Sequence, residues 1–213
     1  MNCKHGIRSL VALALLAGLG LLGGCKKSSV SAPATFRDQP SQFSITAPEG
    51  WFMQSGDELR KQAAGEAARL GDPRLGTPAR GASHEMIVRI TRYLPGQAPE
   101  PNPTVVCTRF DLRKLPPETT TESLLRMGTA TARVERDPTN VELAGRVWQT
   151  MTVSRLMRDA TGKQFEVVQR VYLTAGERWA IGLTISALRE QYTRYEPAFD
   201  AILKSIKLEN SSL

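Results

Sequence analysis

Between residues 141 and 187 the chain alternates apolar and polar side chains through three long runs, 141–158, 163–174 and 178–187. Only Asp159-Ala-Thr-Gly162 and Ala175-Gly176-Glu177 separate them. A parallel crossover needs a dozen residues or more, so links this short join antiparallel neighbours. The runs therefore predict a meander of hairpins, with Gly145 breaking the first run in two. Two upstream runs, 84–94 and 104–112, alternate as well. Met86, Val88, Ile90 and Leu94 oppose Ile87 and Tyr93, and Val106, Phe110 and Leu112 oppose Val105 and Cys107. Apolar side chains on both faces predict a sheet covered on both sides.

What covers it reads as helix. Asp57 offers an N-cap, and Leu59, Ala63, Ala67 and Leu70 share one helical face before Gly71. Thr119 and Glu122 form a capping-box pattern ahead of Leu124, Leu125, Gly128 and Ala132. Gly128 fits either a close helix–sheet approach or simple tolerance. From 189 to 206, Tyr192, Tyr195, Phe199, Ile202, Leu203 and Ile206 make one stripe, with Pro197 resetting the first turn. Segment 43–47 alternates and meets a turn at Pro48-Glu-Gly50, which delivers Trp51 and Phe52 into another short strand. Residues 71–83 are a Gly- and Pro-rich loop. The expected class is α+β: an antiparallel sheet flanked by helices on both faces.

The 213 residues, 41% hydrophobic and 23% charged, suit one globular domain plus a targeting segment. That segment is explicit. Lys4 and Arg8 precede thirteen residues, 10–22, without a charge. As a helix they would span roughly 20 Å against a hydrocarbon core of about 30 Å. This is the length of a signal-peptide core and too short for a membrane span. Leu22-Gly23-Gly24-Cys25 follows, and resembles the lipobox of bacterial lipoproteins. The resemblance implies cleavage after Gly24, a lipid of palmitate type on Cys25, and a diacylglyceryl group with, usually, a third acyl chain. One acyl chain anchors marginally, whereas two or more anchor stably. Lys26 stands where an Asp would hold such a protein at the inner membrane, so the outer membrane is favoured. The expected organisation is a signal peptide over 1–24, a lipidated tether over 25–42 and one domain over 43–213. Loss of Lys4 and Arg8 takes the formal charge from +7 to +5. Cys3 leaves with the signal and Cys25 takes lipid, so Cys107 has no disulfide partner and the fold rests on its core.

Phe43-Ser-Ile45 running into Pro48-Glu-Gly50-Trp51, together with Tyr195-Glu-Pro-Ala-Phe199-Asp-Ala-Ile202-Leu203-Lys-Ser205-Ile206, resembles the PsbP-like family, which includes the DcrB-type bacterial lipoproteins. The likeness covers about residues 43 to 208 and implies an α/β/α sandwich. It carries no catalytic residues, because the family pattern contains none. The function it implies is a non-catalytic binding lipoprotein, an envelope adaptor or chaperone-like module with a protein partner and no cofactor beyond the covalent lipid. A second reading is a periplasmic inhibitor or immunity lipoprotein that neutralises a toxin or hydrolase.

Sharper chemistry finds little support in the residues. Gly18-Leu-Gly20-Leu-Leu-Gly23 spells a dinucleotide fingerprint, but inside an apolar targeting stretch with no βαβ unit. His84-Glu85 begins a zinc-protease motif, yet Val88 occupies the second histidine's place, so no metal site is expected. Ser83 and His84 are chain neighbours on a strand and point to opposite faces. Trp51, Trp148 and Trp179 sit in strand patterns that favour packing. The basic residues form no stripe for nucleic acid. Arg69, Arg74 and Arg80, with Arg89 and Arg92, gather around the 71–83 loop as candidate contacts for a partner or lipid headgroups.

Overall fold

The computed structural model describes residues 32–70, 83–94, 97, 101–158 and 162–209. The described part opens with a hairpin, β1 (Ala34–Asp38) and β2 (Phe43–Ala47), then β3 (Phe52–Ser55) and α1 (Gly56–Leu70). β4 (His84–Thr91), β5 (Thr104–Asp111) and α2 (Thr121–Thr129) follow. The meander is β6 (Arg133–Leu143), β7 (Arg146–Arg158), β8 (Gln164–Ala175) and β9 (Trp179–Leu188), and the chain closes with α3 (Tyr192–Lys204) and β10 (Lys207–Leu208). Seven strands form an antiparallel sheet in the order β3-β4-β5-β9-β8-β7-β6, and β1-β2-β10 make a smaller one.

Strand parity divides the core. Val105, Cys107, Tyr172, Ile181, Leu183 and Ile185 point to one face, where β2, the α3 stripe of Tyr195, Phe199 and Ile202, and Ile206 just after the helix bury them. Ala180 and Leu173 point to the other, under Leu124 and Leu125 of α2. Helices thus pack on both faces of the sheet, and the α+β class read from the sequence is the one observed.

Several boundaries differ, each for a physical reason. Residues 34–42, expected to lie in the tether, belong to the fold, because β1 pairs residue for residue with β2 from Ala34↔Ala47 to Asp38↔Phe43. Its polar composition hid it: Phe36 alone supplies an apolar side chain large enough to pack, and Asp38 is buried through polar partners. β6 begins at Arg133, eight residues before the expected run, as a mostly exposed edge strand with Pro138 and two register shifts. Such features keep an edge strand from pairing with other chains, and they also erase the alternation. Between β6 and β7, Ala144 and Gly145 both take positive φ, +53° and +72°, which makes a two-residue type I′ turn. Ser55, not Asp57, caps α1: its hydroxyl accepts from the Glu58 N–H while Glu58 accepts from the Ser55 N–H. The α2 cap is Thr120 with Ser123, one residue after the expected Thr119. Gly128 has open space beside it, so tolerance rather than close packing accounts for it.

One glycine is required. A bulge between Met86 and Val88 puts both Ile87 and Val88 in the core and turns Met86 to solvent. The first residue of α1 lies against it: a Cβ on Gly56 would fall well inside contact distance of the Met86 carbonyl oxygen. Gly56→Ala is expected to destabilise the domain by about 1–3 kcal/mol in urea unfolding. A loss below ~0.5 kcal/mol would show that the bulge yields freely.

Candidate functional site

Where β1 crosses the main sheet, beside the start of α1, five charged side chains line a cleft of about 180 Å³. Position 109 shares strand parity with the core residues Val105 and Cys107, so the fold turns an arginine inward there. One nitrogen of the Arg109 guanidinium donates to both oxygens of Asp38, at 2.7 Å each, and the other donates to Glu85 at 2.9 Å. Asp38 and Arg109 side chains are only 9% and 12% exposed. Ser41 completes the Asp38 shell with its amide and hydroxyl. Glu85 gives its other oxygen to Arg60 of α1 at 2.5 Å, and Arg60 turns back to Asp57. Below Arg109 lies the Trp179 ring, 4.7 Å from the guanidinium carbon, while Arg178 approaches the same ring at 4.6 Å.

The cluster ties three parts of the fold together: β1, the β4–β5 pair of the main sheet, and α1. It has the form of an ionic clasp. General acid–base work needs a carboxyl group within reach of a substrate and poised to exchange a proton. Here both oxygens of Asp38 and both of Glu85 already accept from guanidinium groups. Sequence reasoning did not assemble this site: Asp57 was read only as an N-cap and Trp179 only as packing, and Asp38, Arg60, Glu85 and Arg109 were missed. The available signal was a charged residue at an inward-facing strand position, Arg109 following Val105 and Cys107 on one face.

The expected site residues lie elsewhere. Gly24, Cys25, Arg74 and Arg80 fall outside the described residues, as does nearly all of the 71–83 loop. Arg69 is exposed on α1 and bonds Glu66 at 2.9 Å. Arg89 donates to Gln54 at 2.6 Å, and Arg92 donates to the Gly50 carbonyl and sits over the Tyr93 ring. The structure thus holds Arg89 and Arg92 in separate local contacts. His84 is exposed and lies against Phe110, 5.8 Å between ring centres. Cys107 is fully buried, and burial pushes its thiol far above the ordinary range, so it is protonated and inert at neutral pH. All three tryptophans are in the core. Among the described residues no group of three His, Cys, Asp or Glu could hold a metal ion, and no helix is long and apolar enough to cross a membrane.

No protein-family model matches the chain, and no curated protein matches it in sequence. Solved structures do. Cyanobacterial PsbP from Synechocystis sp. PCC 6803 superposes with a TM-score of 0.50 at 13% identity, over 89% of this chain and 99% of its own. LpqN of Mycobacterium tuberculosis, involved in cell envelope biogenesis, gives 0.47 at 13% identity, over 83% of this chain and 90% of its own. Identity this low speaks to architecture, and the architecture is clear: this domain is built on the PsbP-like fold.

Proposed function

We propose that the chain is a lipid-anchored bacterial envelope protein of DcrB type, whose PsbP-like domain binds a protein partner and performs no catalysis. The observation that carries the reading is Leu22-Gly23-Gly24-Cys25, placed directly after an apolar stretch too short to span a bilayer. Anchoring through several acyl chains would hold the protein at its membrane. The non-catalytic part is supported by the clasp, whose carboxylates are engaged within the fold. The envelope-facing domain then acts as an adaptor or chaperone-like module, with Lys26 directing it to the outer membrane.

Cys25→Ser is expected to abolish acylation, leave unprocessed precursor and move the protein out of the stably lipid-anchored fraction, as read by mass spectrometry and membrane fractionation. A normally processed, membrane-bound variant would overturn the anchor. Affinity capture of the tagged lipoprotein from envelope extracts tests the binding role, and recovery of no specific protein partner would overturn that part.

A further inference from the structure

One end of the main sheet carries exposed apolar side chains among basic ones. β9 ends with Leu188 opposite Val167, but the β7–β8 hairpin continues through Leu156↔Glu166, Met157↔Phe165 and Arg158↔Gln164. Three further residue pairs project it roughly 10 Å beyond β9. On this projection Leu156 is 75% and Met157 47% exposed, and as strand neighbours they point to opposite faces, so the hairpin end is apolar on both sides. Around it the sequence carries the basic Arg158 and Lys163 and one acidic residue, Asp159. Arg155 donates to the Thr131 hydroxyl and the Gly128 carbonyl, which ties it to the end of α2. Two carboxylates of this end, Glu135 and Glu166, are both held by Arg189.

The first strand begins at the same end. Ala34 pairs with Ala47, one residue before the Pro48-Glu-Gly50 turn, and Gly50 is bonded by Arg92 just past the end of β4. Leu94, also exposed, follows on that rim, four strand spacings or roughly 19 Å from β7. Because β1 is part of the fold, eight residues, 26–33, separate Cys25 from the domain. Such a linker has an r.m.s. span of about 16 Å and a fully extended reach of about 30 Å.

We propose that this rim is a docking face for an anionic bilayer: Leu156 and Met157 enter the interfacial region, while Arg158 and Lys163 take lipid phosphates. The proposal rests on the lipid-anchor reading, which supplies the short leash. It assigns the domain one orientation, with the Asp38–Arg109–Glu85 clasp at the far end of the sheet, away from the membrane.

The mature acylated protein, reconstituted into phosphatidylethanolamine–phosphatidylglycerol vesicles, tests it. In Leu156→Cys the introduced thiol is the accessible one, since Cys25 is acylated and Cys107 buried. An NBD label at 156 should be quenched by nitroxide-bearing lipid several-fold more strongly than the same label in Ala64→Cys, on the exposed side of α1. Arg158→Glu with Lys163→Glu should lower the docked fraction about ten-fold or more. Equal quenching at 156 and 64, with Cys25 shown acylated by mass spectrometry, overturns the docking face alone. An unmodified Cys25 removes the leash and overturns both the anchor and this orientation.

Discussion

Arg109→Met is expected to lower the free energy of unfolding by roughly 3–5 kcal/mol, the cost of breaking a buried ion pair from one side. Asp38 is 9% exposed and would keep only the Ser41 amide and hydroxyl as donors. Glu85 would keep Arg60, so the loss falls mainly on the carboxylate with no second cation. The Trp179 ring would also lose the guanidinium above it. A domain of this size should then melt about 10 °C lower. Asp38→Asn in the same background removes the stranded charge and should recover part of the loss, so the two substitutions are coupled rather than additive. Urea unfolding of both single variants and the double variant gives the coupling directly. A loss below ~1 kcal/mol for Arg109→Met would mean that the clasp is relaxed by water and contributes like a surface pair.

Phe199→Ala should cost a comparable ~3–5 kcal/mol, through a different mechanism. Phe199 is buried at the centre of an aromatic group, 5.7 Å from Trp51, 5.5 Å from Tyr192 and 6.4 Å from Tyr195 between ring centres. These rings fasten α3 and the segment before β3 onto the sheet. Truncation leaves a cavity that stiff neighbours cannot collapse into, and edge-to-face contacts are lost with it. Near-UV circular dichroism should weaken with the loss of fixed surroundings for Trp51, alongside the shift in urea midpoint. An unchanged aromatic signal would place the stability of α3 in its aliphatic contacts, Ile202 and Leu203, instead.

How far the fold could be read from the chain depended on whether side-chain alternation survived in each element. β7, β8 and β9 are paired on both edges and packed on both faces, so their sequences keep the period of two, and the short links fix their order. β6 lies at the edge, with solvent on one side and two register shifts, and its first eight residues carry almost no apolar signal. β1 failed for a related reason: its far end is fixed by charge instead of hydrophobic burial. The bulge at Ile87 shows a subtler loss, since one extra residue moves Met86 from the expected inward set to solvent. The clasp was hidden because its members, at positions 38, 57, 60, 85 and 109, come together only when two sheets and a helix meet. The closing helix, by contrast, was legible down to its stripe, because a single amphipathic element writes its packing into adjacent turns.

The first strand also decides where a mechanical load would enter this molecule. Tension transmitted from Cys25 would reach the fold at Ala34 and run along a five-residue strand whose opposite end is riveted by Asp38 to Arg109. A pull along that axis shears the β1–β2 hydrogen bonds together, so they share the strain instead of parting one by one. With the rivet removed, β1 becomes the weakest link, and its detachment would lengthen the leash while leaving the seven-stranded sheet assembled.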